Sequence, residues 1–449
     1  MEQMNKNLNS YTSIDLPGLK KISFKSKFLQ DFIFFLAVVA LPSSFFALIP
    51  PAIFFDLKVD FLLVGLVYIA FNFKYIKKVS KLPAGKILIL LNVYLVFQVA
   101  YSLFVQEIPF TEVAAIFRAN FFYPITALGF LLYVASMNNR RIYRFMYWLL
   151  LATFIQGSLY IFSNLTGINV FATGLREYSF KGTEILQNMF AIPHYNEVLF
   201  TFAFLAALSM KGFNRHWLWF VPLVVTIISI VRSQMIVYLL VVLLIFILAK
   251  VSKVKVNVSK LFNISLLSGI FLIIVLLLFP AHIGRVIHKF GFDKQEELTR
   301  TQYLEQGTYK LRLNLIEDAY TRTKSHDNLL LGMGYIREAK KGEYDFVVGG
   351  DTLIAPVLYT EGLLGLTIRI LPIFILLFYF IRILKSTKNR RYRLFAIIAI
   401  SLILPEIPNV VQTRYFVYYN REMFILFILA IIIYNDKKRR NKLEKVSIA

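Results

Sequence analysis

The chain has 449 residues, of which 58% are hydrophobic and only 17% are charged. Repeated apolar runs reach the length needed to cross a bilayer, which excludes a set of soluble domains, and their continuous apolar character excludes a β-barrel. The formal net charge of +24 does not indicate nucleic-acid binding, because Lys and Arg cluster in short connections between the apolar runs, as the positive-inside rule describes.

The chain contains no Cys, so disulfides and thiolate metal ligands are excluded. The first 30 residues are polar and carry several lysines, which predicts a cytoplasmic tail and not a cleaved signal peptide. We therefore predict an all-α polytopic membrane protein. It has about twelve transmembrane helices and a large, partly helical extracytoplasmic loop between spans nine and ten.

Six spans are predicted in the first half of the chain. The connections after spans two, four and six are basic, whereas those after spans three and five, 106–109 and 164–192, are acidic or of mixed charge. The six predicted spans are 31–49, 57–73, 87–105, 112–136, 145–163 and 193–210.

The apolar run at 217–249 is too long for one span. Its 33 residues, at a rise of about 1.5 Å each, would reach about 50 Å, well beyond a hydrocarbon core of about 30 Å. A division at Arg232 gives spans seven and eight. It also leaves the basic segment 250–260 on the same side as the other basic connections.

The second half contains the long loop and the last spans. Every even-numbered connection is strongly basic, which predicts cytoplasmic termini and a loop on the outer side. The last four spans are about 261–280, a stretch within 352–381, 394–411 and 421–434. The predicted organisation is a cytoplasmic tail (1–30), spans one to nine (31–280), the extracytoplasmic loop (281–350), spans ten to twelve (351–434) and a cytoplasmic basic tail (435–449).

Three arginines lie inside predicted spans or at a predicted outer hairpin, where a positive charge is unusual. Arg232 falls at an outer hairpin, where positive charge is least expected. It either snorkels at a span end or contributes to an anion site, since a guanidinium has a permanent charge and a fork of donors suited to phosphate. Arg118 lies inside span four and either marks a site or pairs with Glu112 or Glu107. Arg369 in span ten poses the same question.

The long loop has internal order. Apolar residues at four-residue spacing, followed by glycines, predict a helix from Thr308 to about Thr323 and a break at Gly332 and Gly334. Arg312 lies beside the stripe of apolar residues on this helix. The helix is therefore either an amphipathic helix that covers the outer ends of the spans or one that simply presents a packing face. The stripe consists of Leu311, Leu315 and Ala319.

Further polar residues are candidates with two interpretations each. Arg300 ends a charged stretch that is either solvated or contacts a substrate. His194 opens span six at the outer surface, as a hydrogen-bonded boundary residue or a substrate contact. Asp351 precedes an apolar run, so it either caps the helix that it begins or acts as a general base beside a basic pocket. His282 and His288 do not share a helical face, and without a third ligand no metal site is predicted.

These stretches together resemble the bacterial O-antigen polymerase and O-antigen ligase superfamily, over the topology of nearly the whole chain. Residues 230–234 resemble the family's Arg-containing hairpin after span seven. Arg312 with the glycine turn at 331–334 resembles its loop helix and turn. Residues 351–365 resemble the segment that re-enters the membrane, and residues 190–196 match the stretch that opens span six.

The resemblance implies a metal-independent glycosyl transfer, without a cofactor, from an undecaprenyl diphosphate-linked glycan. Arg232 and Arg312 would hold and neutralise the diphosphate leaving group. Asp351 would orient or deprotonate the acceptor hydroxyl. Further candidate substrate contacts are Arg118, His194 and Arg300.

One departure from the family pattern distinguishes its branches. The ligases typically carry a His-Asn pair where this chain has Asp351-Thr352, which favours the polymerase branch. The expectation is thus an O-antigen, capsule or exopolysaccharide polymerase in the bacterial cytoplasmic (inner) membrane, with an extracytoplasmic active face. The near alternative is an O-antigen ligase-type transferase; the distant ones are a flippase for lipid-linked oligosaccharide and a structural protein whose arginines snorkel.

The same expectation names its partners. They are the undecaprenyl diphosphate-linked oligosaccharide and the lipid bilayer, with a chain-length regulator protein as a further candidate. Nucleic acid is not expected.

Overall fold

A computed structural model of the chain describes residues 30–34, 57–118, 122–146, 176–180, 183–189, 232–254, 308–336, 354–409 and 421–448, with positions 148, 158 and 162. This part is mostly helical. The helices named below are α1 (Leu57–Asn72), α2 (Ile76–Val79), α3 (Gly85–Phe104), α4 (Phe110–Ile116), α5 (Tyr123–Ser136), α6 (Arg232–Val251), α7 (Thr308–Ser325), α8 (Ile354–Ser386), α9 (Arg390–Asn409) and α10 (Arg421–Ile448). A 3-10 turn, Phe73–Tyr75, separates α1 from α2.

Several helices cover stretches that the hydropathy pattern predicts to be spans. Helices α1, α3 and α9 lie over predicted spans two, three and eleven, and α8 lies over span ten. Helix α10 covers span twelve and continues through the basic tail as far as Ile448. Helix α7 confirms the helix predicted within the long loop.

The loop predicted at 164–192 contains an antiparallel hairpin. Strand β1 (Arg176–Phe180) pairs with β2 (Thr183–Met189), with Arg176 opposite Met189 and Phe180 opposite Thr183. The described residues are mostly helical as predicted, and this short hairpin is the exception to the all-α prediction. Tyr178, Phe180, Thr183 and Ile185 are of the types that favour extended backbone.

Among its described residues, predicted span four contains two α-helices. Helix α4 ends at Ile116 and α5 begins at Tyr123, with Pro124 in its first turn. A proline inside a continuous helix lacks the N–H for its hydrogen bond and clashes with the preceding turn, whereas the first turn accepts it. Arg118, expected inside span four, consequently follows the end of α4, and its side chain is exposed.

Two of the described helices, α3 and α8, are long and apolar enough to cross a membrane. On α3, Leu90, Val93 and Phe97 are exposed, whereas Gln98 and Ser102 are fully buried. An apolar face that points outward while polar side chains point inward is expected where the surroundings are lipid and not water. These features support a membrane protein.

The main apolar core is built from α1, α3, α5, α6, α8, α9 and α10. A very close helix crossing in this core joins α1 to α5. A Cβ atom added at Gly129 would lie 2.2 Å from the carbonyl oxygen of Gly65, so the two backbones are in direct contact. Small residues at such a crossing allow close van der Waals packing.

Contacts at one end of this helix assembly join basic connections to one another. The Lys78 Nζ donates to the Ala135 carbonyl at 2.5 Å, and the Arg393 Nη1 donates to the Ser252 carbonyl at 2.9 Å. Asn139 donates through its Nδ2 to a carboxylate oxygen of α10 at 2.7 Å. The connections after predicted spans two, four, eight, ten and twelve therefore meet at a common end. Which end faces the cytoplasm stays a prediction from the charge pattern.

Candidate functional site

Helix α8 is broken at Gly362, whose backbone angles (φ 66°, ψ −168°) are not helical. The break divides α8 into a first half that ends at Glu361 and a longer second half. A break of this kind removes hydrogen bonds from the helix, and buried backbone groups must then find other donors and acceptors.

The glycine turn after α7, residues 329–335, supplies those groups. Gly332 has a φ of 77°, which lets the turn present both N–H and carbonyl groups to the break. Four backbone hydrogen bonds result. They run from Met333 N to Tyr359 O (2.7 Å), Gly334 N to Thr360 O (3.1 Å), Leu363 N to Leu329 O (2.9 Å) and Leu364 N to Leu330 O (3.1 Å).

Helix α3 joins the same junction through two buried polar side chains. The Gln98 Nε2 donates to the carbonyls of Leu331 (2.8 Å) in the turn and Thr360 (2.6 Å) in the break. The Ser102 hydroxyl oxygen accepts from the Tyr335 backbone N–H at 2.9 Å. One helix therefore fixes the turn and the break at once.

A buried ion pair spans the break. Arg369 in the second half of α8 donates from Nε and Nη2 to the two carboxylate oxygens of Glu361, each at 2.6 Å, and both side chains are fully buried. The Tyr335 hydroxyl donates to the same carboxylate at 2.8 Å, and the Tyr94 hydroxyl donates to the Glu361 carbonyl at 2.6 Å. Charge-assisted, bidentate bonds of this type fix geometry strongly.

The Tyr335 phenol remains a donor. Burial, and the carboxylate of Glu361 beside it, raise the pKa of Tyr335 well above its ordinary value of 10.0. The hydroxyl therefore stays protonated and holds its bond to Glu361 throughout the physiological range.

Glycines without a Cβ atom allow the close approach of the turn to the break and of Glu361 to Arg369. A Cβ at Gly332 would lie 2.6 Å from Gly362 N and from Thr360 O, so the turn and the break approach backbone to backbone. A Cβ at Gly365 would lie 2.3 Å from the Glu361 Cβ. The space at Gly365 lets the Glu361 side chain fold along the second half of α8 towards Arg369.

The loop helix α7 packs on the first half of α8. Leu315 and Ala319 form a buried cluster with Ala355, Leu358 and Tyr359. Leu315 and Ala319 belong to the predicted apolar stripe, so the stripe is a face that packs against α8 at these two residues. The loop is built into the end of the helix assembly by this face and by the turn that follows it.

The predicted site residues are placed unevenly. Arg312 lies on α7, one turn before Leu315, and Arg232 is the first residue of α6. Arg118 follows Phe117, whose ring centre lies 5.7 Å from that of Tyr335. Their roles stay predictions. The candidates outside the described residues are His194, Arg300 and Asp351.

The structure places one of these candidates next to a described contact. Arg312 precedes Leu315 by about 4.5 Å along the helix axis. Leu315 belongs to the cluster between α7 and α8, so the Arg312 backbone lies close to that cluster.

The junction itself was not among the predicted sites. The sequence pattern identifies Arg369 as an ionisable residue inside a span and does not identify its partner. The available signal was the co-occurrence of Glu361 with Arg369 in one apolar run, because a lone charge there is costly and a pair is less so. The hydroxyl of Tyr335 had no sequence signal.

The chemistry of the junction is structural. Glu361 and Arg369 are fully buried and bonded to each other, so neither faces a space that a substrate occupies. Arg312, on the packed loop helix, is of a residue type suited to phosphate binding, and that role stays a prediction. No family model matches this chain, and a search of curated proteins found no match.

Proposed function

We propose that the protein is a polysaccharide polymerase, which joins undecaprenyl diphosphate-linked repeat units at the outer face of a bacterial cytoplasmic membrane. The observation that supports it best is the attachment of the long loop: α7 packs on the first half of α8, and its glycine turn is hydrogen-bonded into the helix break. A loop held in this way suits a site at the end of the helix assembly, where a lipid-linked diphosphate and its glycan meet.

The roles follow from charge and position. Arg312 and Arg232 neutralise the diphosphate leaving group, since fixed cations aimed at developing charge lower a transition-state barrier. Asp351 orients the acceptor hydroxyl or takes its proton. Arg118, which follows the helix packed against the turn, is a further substrate contact. The reaction needs no metal in this scheme, because the guanidinium groups supply the positive charge.

A flippase or transporter is the second candidate, and the broken helix α8 favours it. Discontinuous helices with buried ionisable residues are common at transporter binding sites, where free carbonyls coordinate ions. In this chain the carbonyls of Tyr359, Thr360 and Glu361 accept hydrogen bonds from Met333, Gly334, Gln98 and Tyr94. Those groups are occupied by protein donors, which argues against an ion site at the break.

A glycan profile of a deletion strain tests the proposal. Loss of a polymerase leaves single repeat units on the carrier at the outer face. Loss of a ligase-type transferase leaves long chains that are not attached to their acceptor, and loss of a flippase leaves units on the cytoplasmic side. Long attached chains of normal length in the deletion strain would contradict all three functions.

A further inference from the structure

Side chains from the two halves of α8 and from the turn after α7 meet at the carboxylate of Glu361. Glu361 ends the first half of α8, Arg369 belongs to its second half, and Tyr335 ends the turn that follows α7. The Glu361 Oε1 accepts from the Arg369 Nη2 at 2.6 Å and from the Tyr335 hydroxyl at 2.8 Å. One oxygen atom therefore connects the break to the loop.

An ion pair is a costly way to fill this space. Both side chains are fully buried, and removal of two charges from water costs more than burial of apolar side chains of similar volume. The pair gives both carboxylate oxygens of Glu361 defined donors: the Arg369 Nε donates to Oε2, and the Arg369 Nη2 and the Tyr335 hydroxyl donate to Oε1. Buried polar networks of this kind specify a single arrangement.

We propose that Glu361, Arg369 and Tyr335 form a latch that holds α7 and its glycine turn on the break in α8. The three are positioning residues, which set the place of Arg312 relative to the start of α8 without touching the substrate. The catalytic part of this inference rests on the proposed function. The latch itself is independent of what reaction the protein carries out.

Tyr335→Phe isolates the bond that closes the latch. The aromatic ring stays in its apolar surroundings, which include Ile108, Val113 and Val357, and only the hydroxyl is lost. The ion pair between Glu361 and Arg369 is retained. Tyr379→Phe is the matched control, because Tyr379 lies in the second half of α8 beside Phe380 and outside the network.

Thiol labelling measures whether the latch is closed. The chain has no Cys, so Ala319→Cys, at a fully buried position between α7 and α8, gives one reporter. With Tyr335 intact we expect slow reaction with a maleimide. Tyr335→Phe should speed the reaction about tenfold or more, since a hydrogen bond to a charged group sets an opening equilibrium of that size. Leu330→Cys, exposed in the turn, should react quickly in every background.

A second variant guards against misfolding of the first. The double change Glu361→Gln with Arg369→Leu removes both charges, so no lone charge stays buried. It should also expose Ala319→Cys, while Tyr379→Phe should not. Unchanged protection of Ala319→Cys in both Tyr335→Phe and the double variant would overturn the latch.

Kinetics separate positioning from substrate contact. In a polymerisation assay with purified protein and lipid-linked repeat units, we expect Tyr335→Phe to lower kcat about tenfold and to leave the donor KM unchanged. A raised KM with unchanged kcat would indicate a substrate contact and contradict the positioning role. If the wild type polymerises nothing while the labelling result holds, the proposed function fails and the latch stands.

Discussion

At the residue scale, the charged side chains fall into three sets. Glu361 and Arg369 are buried together and neutralise each other. Lys78 is one of the basic residues at the connections between helices; it is partly buried, and its Nζ donates to the Ala135 carbonyl. Arg232 and Arg312 belong to a third set defined by sequence, whose proposed role is to meet an anion. Predictions for single residues follow from these surroundings.

The arginines are tested by truncation. Arg312→Ala and Arg232→Ala should each leave single repeat units at the outer face, because loss of one charge-stabilising donor costs about a hundredfold or more in rate. Lys at either position should rescue poorly, since the bidentate fork is lost. Glycan chain length at equal expression is the measurement. Arg322→Ala is the control, because Arg322 on the same helix pairs with Asp318 at 2.9 Å; normal chains in Arg312→Ala would refute its role.

Lys78 predicts a pH dependence of stability. Burial, and to a lesser degree the charge of Lys438, lower its pKa to about 8 from the ordinary value of 10.5. The folded chain therefore disfavours protonated Lys78 below about pH 8, and this cost disappears as the pH rises towards 10.5. The difference in Tm between wild type and Lys78→Gln should shift in favour of the wild type between pH 8 and 10. Lys77→Gln, at the exposed neighbouring position, should show no such shift; an equal shift would contradict the assignment.

At the scale of elements, the chain uses two kinds of close backbone contact. One joins the glycine turn to the break in α8 and includes four backbone hydrogen bonds. The other is the crossing of α1 and α5, where the backbones at Gly65 and Gly129 are in direct contact. Both depend on the absence of a Cβ atom, so an added methyl group tests each.

Gly332→Ala should destabilise the junction strongly. The positive φ of 77° costs an L-residue about 1–2 kcal/mol, and the new methyl would meet the backbone of Thr360 and Gly362 at 2.6 Å. We expect a loss of more than about 2 kcal/mol, visible as a lower Tm of the purified protein. Leu330→Ala, in the same turn and 62% exposed, should change Tm little. Equal Tm values for the two variants would contradict the docked turn.

Gly129→Ala should separate α1 from α5. The added methyl would lie 2.2 Å from the carbonyl oxygen of Gly65, and well-packed helices accommodate it only by moving apart, at a cost of about 1–3 kcal/mol. Thermal unfolding is again the measurement, with Leu66→Ala as the control at an exposed position beside the crossing. A Tm for Gly129→Ala at or above the wild-type value would show that the crossing is looser than described.

At the scale of the whole molecule, the two ends of the helix assembly differ in what they contain. Basic connections meet one another at one end, through bonds such as that from Lys78 to Ala135. The loop turn, the break in α8 and the last turn of α3 meet at the other. Because positive charge is retained on the cytoplasmic side, we infer that the junction and the proposed site lie outside.

Sidedness is tested with single cysteines in this Cys-free chain. An impermeant maleimide should label Leu330→Cys in intact spheroplasts, since Leu330 is exposed in the turn. It should label Lys81→Cys, at an exposed position in the basic connection after α1, only after permeabilisation. The reverse pattern would invert the orientation and remove the proposed site from the outer face.

The sequence by itself determined the local features of this protein. Hydropathy located α1, α3, α8 and α9, and the four-residue spacing of Leu311, Leu315 and Ala319 predicted α7, because helix formation and face burial depend on residues close together in the chain. Gly332 and Gly334 marked the turn for the same reason. The limits of local patterns appear at Pro124, where one predicted span is two helices, and in the β1–β2 hairpin.

Only the tertiary structure decided the junction. Gly362 lies inside a long apolar run, and nothing nearby indicates that its freed backbone groups bond to a loop turn about thirty residues earlier. The Tyr94 hydroxyl reaches the Glu361 carbonyl across 267 residues of sequence. Such partners have no fixed spacing along the chain, because packing of helices in three dimensions selects them. A charged residue inside an apolar run predicts that it has a partner. The fold decides that the partner of Arg369 is Glu361, which also accepts a hydrogen bond from the Tyr335 hydroxyl.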